Sequence, residues 1–255
     1  MKTILVTGGC GYQGSVLIPK LLKMGYKVIS IDVKWFGDFL PKHKNLLNIK
    51  CDIKDIEKIS LKNVQIIIHL SSISNDPMSE LDKNLSWETS ALGTMNLINW
   101  AIKSRVKKII YASSGSVYGI KNEKEVHEKM TLEPLTDYSK FKAECEVILK
   151  KFESENFTPI VIRPATVCGY SNRQRLDVIV NILTNLAYHK RKISVFGGEQ
   201  LRPNIHMIDM LRAYELLIKA PKLKVSGEIL TFRISRLPLS VISTMSPPAL
   251  PDTSI

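Results

Sequence analysis

The segment Thr7-Gly8-Gly9-Cys10-Gly11-Tyr12-Gln13-Gly14 constrains the fold of this chain more than any other. It follows a short apolar run, Ile4-Leu5-Val6, and leads into Leu17, Leu21 and Leu22, spaced as on one face of a helix. A strand, a glycine-rich turn and a helix in that order form the context in which a dinucleotide's pyrophosphate is held. One glycine permits the tight turn, another lets the backbone approach the pyrophosphate, and a third lets the helix pack close to the strand, while the helix amino terminus attracts negative charge. Gly8, Gly11 and Gly14, with Tyr12 and Gln13 between them, are therefore the candidate cofactor-binding turn.

Beyond that turn, apolar runs at residues 3–7, 27–31, 48–51, 65–70, 108–112 and 159–162 read as strands. Amphipathic stretches alternate with them, among them Leu92, Met95, Leu97, Ile98 and Ile102. The alternation implies an α/β fold, a Rossmann-type doubly wound parallel sheet covered on both faces. Hydrophobic residues at 44% and charged residues at 24% are the proportions of a soluble globular protein, not a disordered one. No apolar run reaches the length of a membrane span, and the first residues are too short an apolar stretch for a secretory signal, so a cytoplasmic location and no membrane partner are expected. Cys10, Cys51, Cys145 and Cys168 show no paired spacing, which predicts reduced thiols and no metal site. The net charge of +12 comes from lysines spread along the chain and not interleaved with aromatics. That pattern argues against nucleic acid as a partner and for a surface potential that draws in an anionic substrate.

Residues 1–165 form the expected cofactor-binding domain and residues 166–232 a small, incomplete C-terminal substrate lobe, part of which (205–220) packs back on the first domain. Within the lobe the pattern predicts a helix near 177–188, a short strand at 193–196, a Gly197-Gly198 turn, and a helix capped by Asp209 that runs to about Lys219 before Pro221 stops it. Residues 233–255 change character. Prolines 238, 247, 248 and 251 forbid a long helix or a central strand, and a loosely ordered tail is expected.

Three further features carry chemistry. Asp32 ends the second strand, at the distance from the turn where a carboxylate accepts hydrogen bonds from the adenosine ribose. A carboxylate there favours NAD over NADP, although Lys34 nearby leaves room for a 2′-phosphate. Tyr138 and Lys142 are four residues apart and share one face of a helix. An ammonium beside a phenol stabilises the phenolate, a suitable base for a sugar hydroxyl, and lysine can also hydrogen-bond the nicotinamide ribose. Ser114 follows the strand at 108–112, at the sheet edge where ligands of α/β proteins bind, and its hydroxyl can hold the reacting oxygen for Tyr138. Ser114, Tyr138 and Lys142 are the candidate catalytic residues.

With these residues in order, the chain resembles an extended short-chain dehydrogenase/reductase of the NAD-dependent nucleotide-sugar epimerase/dehydratase group, similar to UDP-glucose 4-epimerases. The resemblance runs from about Met1 to Lys219 and includes Cys51-Asp52-Ile53, His69-Leu70-Ser71-Ser72, Arg163-Pro164-Ala165-Thr166 and Arg202-Pro203-Asn204-Ile205-His206-Met207-Ile208-Asp209. It implies that Asp52 and Ile53 contact the adenine side, that Leu70, Ser71 and Ser72 line the cofactor together with Ala165, and that Arg202, with Thr166, holds the sugar nucleotide. It also implies a homodimer through the helix containing residues 92–102 and the one after Tyr138, where Phe141, Cys145, Ile148, Leu149 and Phe152 give an apolar stripe that core packing would explain equally.

Three departures bear on function. Ser90 stands where the family usually carries asparagine on the cofactor side. Gly115 and Ser116 stand where the resembling 4,6-dehydratases carry an Asp-Glu pair, so expulsion of the C6 hydroxyl lacks its acid/base partner. The proline-rich tail replaces the residues that normally complete the substrate lobe. The expected activity is NAD-dependent epimerisation of a nucleotide sugar. The alternatives are a nucleotide-sugar reductase of the same family and an NAD-binding protein impaired by its aberrant C-terminus.

Overall fold

In a computed structural model of the chain, residues 1–74, 76–123, 125–195, 197–198, 201–232 and 235–238 are described, with 76–78 and 235–238 as backbone alone. The first half runs β1 (Thr3–Thr7), α1 (Gly14–Lys23), β2 (Lys27–Asp32), β3 (Leu46–Lys50), β4 (Val64–His69), α2 (Asp76–Leu81), α3 (Lys83–Trp87), α4 (Gly93–Lys103) and β5 (Lys108–Ala112). The second half adds α5 (Asp137–Lys151), β6 (Thr158–Pro164), β7 (Thr166–Cys168), α6 (Ile179–Lys190), β8 (Leu201–His206), α7 (Met207–Lys219), α8 (Lys222–Val225), β9 (Ile229–Phe232) and β10 (Ser235–Pro238).

Seven strands pair in the order β3-β2-β1-β4-β5-β6-β9, every pair parallel. The order reverses between β1 and β4, and a crevice at the carboxyl ends of the strands on either side of that reversal is where such sheets bind ligands. Because both faces are covered, β1 alternates not apolar with polar but one core with another. Ile4 and Val6 pack with α1 and α7, while Leu5 packs with α4, α5 and the 3-10 turn Ile53–Lys58. Residues 207–219 form α7, whose Met210, Leu211, Ala213, Tyr214, Leu217 and Ile218 all join the first of these cores. A second sheet, β10-β8-β7, stands beside the first.

The six predicted strands are present, their edges moved by no more than two residues. The predicted lobe helix is α6, at Ile179–Lys190. No strand forms at 193–195, and residue 196 lies outside the described residues. Asp209 does not cap α7. His206 does, its Nδ1 accepting from Ile208 N at 3.3 Å, while Asp209 lies in the first turn, paired with Arg212 at 2.9 Å. In the expected tail, Ser235–Pro238 pairs antiparallel with β8 at a sheet edge, a place where proline is tolerated; residues 239–255 lie outside the described residues. The stripe on α5 faces the chain's own core, with Cys145 and Leu149 inside it and Phe141, Ile148 and Phe152 packed against it.

Candidate active site

The glycine turn is closed by Gly8 N on Ile31 O at 2.8 Å and Gly11 N on Gly8 O at 3.1 Å. Gly8 has φ of +68°, and a Cβ there would lie 2.8 Å from Ser71 N, so only glycine lets the turn meet the end of β4. A Cβ at Gly14 would lie 2.6 Å from Gly8 O, which is the close helix-on-strand approach. Gly11 differs: a Cβ there would meet Gly8 O at 3.1 Å and nothing else within 4 Å, so its missing side chain leaves room on the outer side of the turn. Above it α1 begins with no acidic residue in its first turn, so its positive end is not neutralised. The turn therefore fits a dinucleotide pyrophosphate.

The side chains of Tyr12 and Gln13 have other tasks. The Tyr12 hydroxyl donates to Gly169 O at 2.7 Å and accepts from Asn181 Nδ2 at 3.1 Å, and Gln13 Oε1 accepts from Tyr214 at 3.0 Å. At the end of β2 the Asp32 carboxylate accepts from Cys10 N at 3.0 Å and Lys34 N at 2.6 Å, and burial raises its pKa. Lys34 is paired with Asp38 at 2.8 Å. The cation that would welcome a 2′-phosphate is thus engaged by a second carboxylate.

At the end of β4, residues 70–72 border the turn. Leu70 N and Ser71 N donate to Thr7 Oγ1 at 3.2 and 3.3 Å. Thr7 Oγ1 lies 2.6 Å from His69 Nδ1, His69 Nε2 lies 2.9 Å from Thr94 Oγ1, and Thr94 donates to Ser90 O at 2.6 Å. One arrangement satisfies all of these. Thr94 gives its hydrogen to Ser90, so it accepts from Nε2–H, leaving Nδ1 to accept from Thr7. Ser90 lies on a π-helical turn, Glu88–Leu92, between α3 and α4. Its Oγ is 3.1 Å from Ser72 Oγ and accepts from Ile73 N at 3.3 Å, so a serine in this position ties the π turn to the β4 loop.

The catalytic candidates lie on the neighbouring strand and helix. Ser114 follows β5 and caps the 3-10 turn Gly115–Tyr118, against which α5 packs. A capping box between Thr136 and Ser139 starts α5 just before half-buried Tyr138. Lys142 is only 3% exposed. Its Nζ donates to Ala112 O at 2.8 Å and lies 4.9 Å from the Tyr111 ring centroid and 5.8 Å from that of Tyr138. Burial pulls its pKa down to about 8.

Of the residues implied by resemblance, Asp52 caps the turn Ile53–Lys58 by accepting from Lys54 N at 2.9 Å, and the Ile53 side chain is turned into the core. Ala165 is buried at the junction of β6 and β7, next to half-buried Thr166. Arg202 is exposed on β8. Glu146 was not foreseen. Its carboxylate takes both Nε and Nη2 of Arg163, at 3.0 and 2.5 Å, and the Ser113 hydroxyl, while Arg163 Nη1 donates to Tyr118 at 2.9 Å. The signal was present in the helical spacing of Tyr138, Lys142 and Glu146. No group of three or more potential metal ligands occurs among the described residues.

A doubly wound parallel sheet with a glycine turn at its switch point and a carboxylate at the end of β2 is the arrangement of a nicotinamide-dinucleotide-dependent enzyme class. The chain belongs to the NAD-dependent epimerase/dehydratase family, whose profile matches residues 4–232, and whose members are NAD-dependent enzymes. It is 29% identical over 201 residues to an uncharacterised protein of Sinorhizobium fredii, covering 78% of this chain and 48% of that protein, and so spans about half of that relative's length. It is 29% identical over 222 residues to a putative UDP-glucose 4-epimerase of Methanocaldococcus jannaschii, covering 82% of this chain and 71% of that one. A mutant UDP-glucuronic acid 4-epimerase from Bacillus cereus, solved with UDP-4-deoxy-4-fluoro-glucuronic acid and NAD, superposes with a TM-score of 0.84 at 25% identity, over 93% of this chain and 79% of that one.

Proposed function

We propose that this chain epimerises a nucleotide sugar with NAD as a recycled cofactor. The observation that carries the reading is that Gly11, Asp32 and Ser114 stand at the carboxyl ends of β1, β2 and β5 in one sheet, with Lys142 Nζ on Ala112 O at the end of β5 and 5.8 Å from the Tyr138 ring centroid. Gly8, Gly11 and Gly14 hold the pyrophosphate, Asp32 the adenosine ribose, and residues 70–72 the nicotinamide side. NAD bound there supplies a hydride acceptor and, once reduced, a hydride donor.

Tyr138 takes the proton of the reacting hydroxyl as the same carbon gives up its hydride, leaving a ketone, and returns that proton when the hydride is restored to the other face. Lys142 favours the phenolate, and Ser114 holds the oxygen. Arg202 and Thr166 receive the nucleotide's phosphates. The absence of carboxylates at Gly115 and Ser116 supports epimerisation over dehydration, since no acid stands ready to expel a neighbouring hydroxyl.

The test is incubation of purified protein with NAD and a panel of UDP-, dTDP-, GDP- and CDP-sugars, with products read by NMR. An inverted sugar with no net change in reduced-cofactor absorbance is expected; a stoichiometric change would assign a reductase instead. Tyr138→Phe abolishes turnover and spares NAD binding measured by calorimetry. Undiminished turnover in that variant removes Tyr138 from the mechanism.

A further inference from the structure

Ser114 Oγ accepts two hydrogen bonds from one neighbour, from Ser116 N at 3.1 Å and from Ser116 Oγ at 2.9 Å. A hydroxyl has two lone pairs and one hydrogen. Both lone pairs of Ser114 are taken, and no described residue accepts its hydrogen. The turn that holds Ser116 is fixed on both sides. A Cβ on Gly115 would lie 3.2 Å from Pro164 O, and Gly119, at φ of +71°, donates from its N to Ser116 O at 3.1 Å.

We infer that Ser116 is a positioning residue that makes Ser114 a hydrogen-bond donor only, so that Ser114 gives its hydrogen to the reacting sugar oxygen and Tyr138 alone receives that oxygen's proton. The inference deepens the epimerase reading and rests on it. Were a lone pair of Ser114 free, the sugar hydroxyl could turn its hydrogen to the serine, an unproductive orientation that leaves Tyr138 with no proton to take. With both lone pairs filled, that orientation has no acceptor. The remaining donor suits the oxygen as alcohol and as ketone, and its hydrogen bond strengthens as negative charge develops there. Capping does not account for the Ser116 hydroxyl, because the Ser116 N–H by itself satisfies the cap at Ser114.

The experiment compares wild type, Ser116→Ala and Ser116→Thr as full chains, with NAD and whichever sugar of the panel turns over. Ser116→Ala keeps the backbone N–H and removes only the hydroxyl. It is expected to lower kcat about tenfold with KM within about threefold, to leave the NAD dissociation constant from calorimetry and the thermal midpoint unchanged, and to be largely rescued by Ser116→Thr. An unchanged kcat in Ser116→Ala overturns the assignment, as does a raised KM at constant kcat, which would make Ser116 an ordinary substrate contact. Wild-type protein that binds NAD but turns over no sugar fails differently. It overturns the epimerase reading itself, and this inference with it.

Discussion

Burial, with a smaller push from the Lys142 ammonium, brings the His69 imidazole down to about 3, while the hydrogen bonds on its two nitrogens suit the neutral ring. The unfolded chain takes up a proton near pH 6.5 that the folded chain refuses until about 3. His69 therefore contributes stability in full above 6.5, and that contribution is lost as pH falls toward the folded value, at about 1.4 kcal/mol per pH unit. Urea unfolding should show wild type losing about 2 kcal/mol more than His69→Gln between pH 6.5 and roughly pH 5. Equal losses in the two proteins would mean that the imidazole charges in place. For the site, a ring that never titrates at working pH gives residues 70–72 and Ser90 a fixed frame, whereas the charge the proposed mechanism uses, on Lys142, sits at the end of β5 on Ala112 O.

Helix α5 carries the proposed catalytic pair and its own anchor on one face. Tyr138, Lys142 and Glu146 succeed one another by single turns, and Glu146 clamps the helix to β6 through Arg163 and to the end of β5 through Ser113. The pair is buried on both sides, at 3% and 2% exposure, so removing one partner strands the other's charge. Glu146→Gln is expected to cost about 3–5 kcal/mol in urea unfolding and to lower kcat through a shift of α5, whereas Glu146→Asp should keep part of both. A neutral Glu146→Gln would leave α5 positioned by its apolar contacts alone. Elements differ in how well the sequence announces them. The central strands of the main sheet are buried on both faces and read as largely apolar runs, so β1, β2, β4 and β5 were legible. Weaker signals failed. β8 is mostly exposed along Leu201–His206 and has no apolar run, the π turn at Ser90 lies inside a continuous helical pattern, and His206 capped α7 where Asp209 had the better propensity. Within the candidate site, the residues that the sequence can propose are those with a fixed spacing, Gly8, Gly11, Gly14, Tyr138 and Lys142. Thr7, Thr94 and Ser116 were not, because their work depends on which hydroxyl faces which across the fold.

At the scale of the molecule, the two sheets are joined at the glycine turn itself. The Tyr12 ring enters the core shared by α1 and α7, and its hydroxyl reaches Gly169 O and Asn181 beyond β7. Ser171 Oγ donates to Tyr12 O at 2.8 Å and lies 2.7 Å from Ser15 Oγ, while Arg173 stacks on Phe36 at 3.9 Å, past the end of β2. Residues 169–173 thus span the groove from the amino end of α1 to the Asp32 side, so the lobe that would seat the sugar is braced against the turn that would seat the dinucleotide. No helix among the described residues is long and apolar enough to cross a membrane, and the cohesion of the chain rests on these polar bridges and the shared core. Tyr12→Phe keeps the ring and deletes the bridge, leaving buried Asn181 with one acceptor fewer. It is expected to cost about 1–3 kcal/mol in unfolding and to weaken NAD binding while unfolding remains a single transition. Calorimetry checks both. Two separated thermal transitions in the variant would show that the hydroxyl bridge couples the lobes, whereas one transition with unchanged NAD affinity would mean that the apolar contacts of α7 hold them together unaided.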